Sequence, residues 1–261
     1  MTADDQGAAD GEAPALRVRG LTKDFGGIRA VADVDLVVGH GERVSVIGPN
    51  GAGKSTLFNL VAGAHSPTHG QIELFGEDVT RLPSRRRAHR GLGRTFQTSR
   101  LFTEMSVADN IYLSLVGRPR AVNRLRPVIT DRVREQRVHE LADLVGLDGT
   151  LATRVGELSH GEQRQLEVAM ALGSDPRLLM LDEPAAGLSP SERSQLTELL
   201  LGLDTSVTVL LIEHDMEIAL VVGERVVVMH EGEKLLEGPP GEVRGSHRVQ
   251  EIYLGASYAG D

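Results

Sequence analysis

The sequence contains no cysteine, which rules out a disulfide framework, a thiolate metal site and a cysteine nucleophile and is compatible with a reducing cytosol. Basic charge is scarce as well: 28 lysines and arginines stand against 37 acidic residues, for a net charge of -9. A protein whose main work is gripping a nucleic-acid backbone needs a positive footprint, so no nucleic-acid partner is expected. Long apolar runs are missing too. Unbroken stretches are as short as Ile218 to Val222, against the roughly 18 apolar residues of a spanning helix. The chain is therefore expected to be soluble by itself and to serve a membrane only through partners. Residues 1–14 are small and acidic, without the positive n-region or apolar h-region of a secretory signal, and are predicted to be a disordered tail.

What is present suits one substantial core: 261 residues, 40% of them hydrophobic, enough for a single domain with an appended subdomain. Leu16 and Val18 begin a strand-like stretch, and Val44 to Ile47 form a β-branched run after Arg43, so a meander of strands is predicted to open the fold. A glycine-rich turn and a helix-compatible segment, Lys54 to Ala62, follow. Leu178–Leu181, Val209–Ile212 and Val226–Met229 are short apolar runs of the kind that fill a sheet covered on both faces. These imply an α/β core. Residues 98–158 differ in character, with amphipathic spacing at Val138, Leu141 and Val145 and a basic, proline-containing stretch from Arg118 to Pro127; they are predicted to be a mostly helical inserted subdomain.

Gly48-Pro49-Asn50-Gly51-Ala52-Gly53-Lys54-Ser55 fits the P-loop pattern between an apolar strand and a helix, which is the context the motif requires. Glycines let several backbone N–H groups face phosphate oxygens at the helix's positive end. Lys54 supplies a point charge for the β- and γ-phosphates, and the Ser55 hydroxyl suits Mg²⁺. Thr56 belongs to the same nucleotide site but lies one place too far to ligate the metal. Leu178–Leu181 then deliver Asp182 and Glu183 to the carboxyl end of a buried strand, where ligands of open α/β sheets bind. Asp182 suits the magnesium shell, and Glu183 is placed to activate the water that attacks the γ-phosphate. The bland alternative, a solvated Asp-Glu-Pro turn, is preferable only in the absence of the P-loop.

Further motifs carry a family resemblance. Gln97 in Arg94-Thr95-Phe96-Gln97, Leu158-Ser159-His160-Gly161-Glu162-Gln163, Ala186-Gly187-Leu188-Ser189 and His214 follow the P-loop in the order of the ABC ATPases, and the chain from Leu16 to about Leu254 resembles that family. The resemblance implies a P-loop NTPase (RecA-like) α/β core with an antiparallel β subdomain. It divides the chain into 15–97 (β subdomain and P-loop core), 98–158 (helical subdomain) and 159–261 (signature helix and remaining core). Gln97 is then the Q-loop residue, reaching the magnesium shell and sensing a transmembrane partner. Ser159 and Gly161 are signature residues that hold a γ-phosphate at a helix N-terminus; a plain Ser159 cap with Glu162 as a capping box is the alternative, and both can hold together. His160 and Glu162 depart from the family's usual glycine and glutamine, and Ser189 stands where aspartate is usual. His214 resembles the switch histidine, though a lone strand-end histidine is often structural. Phe25 resembles the aromatic that stacks on adenine, with core packing as the competing account.

In this family two ATPs are sandwiched between two subunits, so a homo- or paralogous dimer with ATP and Mg²⁺ is implied. Phe25 to Val31, Glu183 to Leu188, Glu213 to Met216 and Tyr253-Leu254-Gly255 are similar to ATPase subunits of high-affinity branched-chain amino-acid importers. That similarity implies transmembrane permease partners, an external solute-binding protein met indirectly, and a peripheral place on the cytoplasmic face of the membrane. Urea or amide importers and a lipopolysaccharide exporter's ATPase share much of this vocabulary. A soluble ABC ATPase of DNA repair or translation, or a small-molecule kinase, remains as a rival reading. The basic run Arg85-Arg86-Arg87 with Arg90 is read as a solvated helix face, with lipid headgroups as the other possibility, and the same reading applies to Arg118 to Arg126.

Overall fold

The computed structural model describes residues 13–95, 101–116 and 131–258. Most of the predicted acidic tail, Gln97 and the stretch Arg118 to Arg126 lie outside them. Among the described residues two sheets organise the fold. The first is antiparallel, in the order β2-β1-β4-β5, from β1 (Leu16–Phe25), β2 (Ile28–Val38), β4 (His69–Leu74) and β5 (Glu77–Asp78). The second runs β10-β9-β3-β8-β7-β6, from β3 (Arg43–Ile47), β6 (Leu92–Arg94), β7 (Leu178–Asp182), β8 (Thr208–Ile212), β9 (Arg225–His230) and β10 (Glu233–Gly238). Its members pair in parallel except for β10 at one edge.

The apolar runs behave as a doubly covered sheet demands. Along β7, Leu178 and Met180 pack into the cluster shared with the first sheet and α1 (Lys54–Val61), while Leu179 and Leu181 point into the cluster on the other face. Side chains alternate on a strand, so both registers must be apolar when both faces are buried. The second cluster is roofed by α3 (Val107–Val116), α4 (Asp131–Leu144), α5 (His160–Gly173) and α6 (Pro190–Leu201), with α2 (Ser84–Ala88) preceding them. Val138, Leu141 and Val145 are buried there, as their spacing predicted. Beyond β9, α7 (Met216–Val222), α8 (Pro240–Gly245) and α9 (His247–Tyr258) cover Ile47, Val226 and Val228. Among the described residues no helix is long and apolar enough to cross a membrane.

The basic run needs a correction. Arg85 and Arg86 are exposed on α2, but Arg87 is 1% exposed. Its guanidinium donates to the carbonyls of Leu60 and Val61 at 2.7 Å, Leu82 at 2.9 Å and Thr80 at 3.1 Å. Two of these acceptors belong to the last turn of α1, whose carbonyls have no partner within the helix and carry its negative dipole end. Burial lowers the Arg87 pKa to about 10, still far enough from neutrality to keep the group charged. Arg90 pairs with Glu77 at 2.7 Å. A basic triplet thus contains one structural cap, invisible from charge pattern alone because the acceptors come from elsewhere in the chain.

Candidate functional site

The loop between β3 and α1 is built from positive φ angles: Gly48 at 155°, Gly51 at 81° and Gly53 at 94°. Glycine is required at two of these for space as well. A Cβ on Gly48 would lie 2.2 Å from the Met229 carbonyl, and one on Gly53 2.4 Å from that of Ala30. Gly53 is also the N-cap of α1 and offers no side-chain cap, so the helix's first N–H groups are left for a ligand. The turn after β9 buttresses the loop, with the Gly232 N–H donating to the Ala52 carbonyl at 3.1 Å. Lys54 is 5% exposed, and its ammonium donates to the carbonyls of Gly48 at 2.7 Å and Pro49 at 3.1 Å. Burial lowers its pKa, opposed by the charges of Glu183, Asp182 and Glu213.

Those three acids come from two neighbouring strand ends. Asp182 pairs with Ile212 in register, so Glu183 and Glu213 emerge side by side at the carboxyl edge of the sheet. Asp182 is 4% exposed, and its Oδ1 is buried with no hydrogen-bond partner. Burial, reinforced by the neighbouring Glu183, pushes its pKa up to about 6, against the pull of Lys54. A buried carboxylate oxygen without a donor beside a serine-bearing phosphate loop fits a hydrated cation. Among the described residues no cluster of three or more His, Asp or Glu forms a metal cage, so such an ion would lean on Asp182, the Ser55 hydroxyl and phosphate oxygens. Proteins commonly bind Mg²⁺ in that manner.

Glu183 sits at φ 48°, in the left-handed region that non-glycine residues seldom adopt. Its N–H donates to the Ile212 carbonyl at 2.8 Å, which holds the turn against β8. Strain of about 1–3 kcal/mol is typical of such positions and persists where surrounding contacts over-determine it. Glu213 supplies one of them: fully buried, its Oε1 accepts the Ala185 N–H at 2.9 Å. Burial raises the Glu213 pKa, and its Oε2 lies 3.8 Å from Nδ1 of His214, whose ring is exposed at the strand end. Thr95, 5% exposed, accepts the Asp182 N–H on Oγ1 at 3.3 Å. Sequence reasoning assigned no role to Glu213 or Thr95. Glu213 carried a usable signal, since it follows a buried parallel strand as Glu183 does; Thr95 carried none, because its contact spans 87 positions.

Phe25 is 44% exposed, which removes core packing as its explanation. It ends β1 with its ring edge-on to His65, centroids 5.7 Å apart, and with Lys23 Nζ 4.9 Å from its centroid. Ser159 caps α5 in a complete capping box: its hydroxyl accepts the Glu162 N–H at 3.2 Å, and its own N–H donates to Glu162 Oε2 at 2.8 Å. Gly161 turns its N–H toward α6, to Glu192 Oε1 at 3.1 Å. Ser189 caps α6 with a second capping box. Gln97 lies outside the described residues.

The ABC transporter family matches residues 31–186. The high-affinity branched-chain amino acid transport ATP-binding protein BraF of Pseudomonas aeruginosa is 42% identical over 93% of this chain and 98% of its own length. The lipopolysaccharide export system ATP-binding protein LptB of Escherichia coli K12 is 34% identical with the same coverage. Among solved structures, an ADP-bound ATP-binding cassette of an ABC transporter superposes with a TM-score of 0.83 at 28% identity, covering 94% of this chain and all of that one. A dimeric cassette bound to ADP and Pi gives 0.74 at 26% identity, covering 86% and 98%.

Proposed function

The chain belongs to the ABC transporter family as an ATP-hydrolysing, ATP-binding subunit, and from that premise we propose that it powers import of branched-chain amino acids, with the residues above as its catalytic half-site. The observation that carries the catalytic assignment is the convergence of Lys54, Asp182, Glu183 and Glu213 at one sheet edge beside an uncapped helix N-terminus. Backbone N–H groups of the non-proline residues from Gly48 to Thr56 and the Lys54 ammonium hold the phosphates. Ser55, Asp182 and Gln97 would hold Mg²⁺, which would supply positive charge to offset that of the phosphates. Glu183 takes the proton of the attacking water, His214 orients that water, and the exposed Phe25 ring stacks on adenine. Ser159 and Gly161 act in trans, on the nucleotide of a second ATPase subunit that is a copy or a paralogue.

Substrate choice rests on the relatives, since the transported solute would meet a permease and an external binding protein rather than this subunit. Higher identity to BraF than to LptB favours import over lipopolysaccharide export. A cavity of about 560 Å³ beside β6, lined by Arg85, Arg94, Leu101, Glu167 and Met170, adjoins Gln97 in sequence and suits a permease segment. Such contact would seat the chain on the cytoplasmic face of the membrane.

Two measurements test the proposal. Glu183→Gln keeps ATP binding and lowers steady-state phosphate release by about a thousandfold, within the range of a positioned general base; wild-type turnover by that variant removes the assignment. Affinity capture from detergent-solubilised membranes recovers permease subunits, and deletion of the gene impairs uptake of leucine, isoleucine and valine. Capture of soluble partners alone defeats the importer reading.

A further inference from the structure

Glu192, in the first turn of α6, reaches beyond its own helix. Its Oε2 accepts the Ser189 N–H at 2.8 Å and the Ser189 hydroxyl at 2.7 Å, the ordinary contacts of a capping-box glutamate. Its Oε1 accepts the Gly161 N–H at 3.1 Å, across 31 positions of sequence. The Ser189 hydroxyl and N–H, and after them the Gly161 N–H and the Ser159 hydroxyl, hold this carboxyl below the usual carboxylate range. Two of those donors, the Ser159 hydroxyl and the Gly161 N–H, are the pair assigned above to a γ-phosphate. The fit is close: a Cβ on Gly161 would lie 2.3 Å from Glu192 Oε1.

A single N–H directed at one anion is not free for another, and two negative groups at one helix N-terminus repel. We propose that the Glu192 carboxylate is an intramolecular stand-in for the γ-phosphate, closing the signature end of α5 until the ATP of a second subunit displaces it from Gly161. This rests on the reading of Ser159 and Gly161 as contacts in trans. The device has two consequences. ADP, lacking the γ-group, leaves the carboxylate seated, so the contact discriminates between the nucleotides. Displacement breaks the contact with Gly161 while leaving Oε2 on Ser189, so the arrival of nucleotide at α5 releases the start of α6 from it.

The test uses the full chain carrying Glu183→Gln, together with any paralogous ATPase captured from membranes, and follows subunit association by analytical ultracentrifugation across an ATP-Mg²⁺ titration. Adding Glu192→Gln preserves the capping box, since glutamine serves at that position, but turns an amide NH₂ toward Gly161 that accepts nothing. The ATP concentration at half-association is expected to fall by roughly tenfold, the scale of one charge-assisted hydrogen bond. ADP is expected to drive no association of the Glu183→Gln parent. Glu192→Asp, which withdraws the charge by one methylene, shifts the midpoint in the same direction and is read instead if the Gln variant melts early. An unchanged or raised midpoint overturns the stand-in role alone. A parent that binds ATP yet never associates overturns the trans reading and this inference with it.

Discussion

Helix α1 begins at Gly53, left-handed and without a side-chain cap, whereas α5 begins at Ser159 under a complete capping box and with the carboxylate of Glu192 on the Gly161 N–H of its first turn. Both ends carry the same positive dipole, yet their donors are committed differently. Around α1 the chain closes the rest of the helix and leaves its start open: Arg87 covers the carbonyls of the last turn, and the glycines keep side chains out of the first. At the start of α5 the N–H groups of Ser159, Gly161 and Glu162 already have acceptors from the chain itself. An open N-terminus backed by a buried sheet edge can take an anion directly. A capped one on the surface must exchange a resident anion for an incoming one, which makes it suited to a step that depends on a second subunit.

This contrast can be broken from either side. Gly53→Ala should have the largest effect, because the new Cβ meets the Ala30 carbonyl at 2.4 Å and φ is 94°. Strain of about 3 kcal/mol at such a site corresponds to roughly a hundredfold loss of ATP affinity, measurable by calorimetry on the purified chain; unchanged affinity would mean that the loop does not need its open geometry.

Asp182→Asn probes the cost of keeping the first site poised. The folded-state pKa of Asp182 is about 6 against an ordinary 3.8, so the folded chain holds this proton more tightly than the unfolded one. Stability from this group is greatest below about pH 4, falls as pH rises through the interval to 6, and is lowest above it, by about 3 kcal/mol. The Asn variant should therefore melt higher than wild type at pH 8 in the absence of nucleotide, with the advantage vanishing near pH 4, while losing Mg²⁺-dependent turnover. A lower melting temperature at pH 8 would contradict the burial argument.

The smallest effect is expected at α5. Ser159→Ala removes one cap, costing about 1 kcal/mol of stability and leaving ATP binding to the isolated chain unchanged, because its own phosphate loop is intact. Equal losses of affinity in Ser159→Ala and Gly53→Ala would erase the difference between the two helix starts.

Much of this was legible in the amino-acid order. Four-residue runs, wholly apolar but for Ser45, located β3, β7, β8 and β9, and the glycine spacing before Lys54 located the turn. Asp182 and Glu183 followed from their place after a buried run. Arg87 was misassigned to a solvated face, since its identity as a cap depends on where α1 ends in space. Phe25 is exposed where core packing would bury it, and its place at the end of β1 does not reveal that. Glu192 was unremarked because its capping box is local while its contact with Gly161 is not.

Local chemistry accounts for what the sequence determined by itself: backbone conformation at glycine, alternation along a strand and charge beside a helix start act over a few residues, so their signatures survive in one dimension. Tertiary structure alone decided which buried acids share a sheet edge, which arginine closes α1 and which carboxylate sits on Gly161. Those are contacts between distant segments, where desolvation and donor geometry depend on what the folded chain brings alongside.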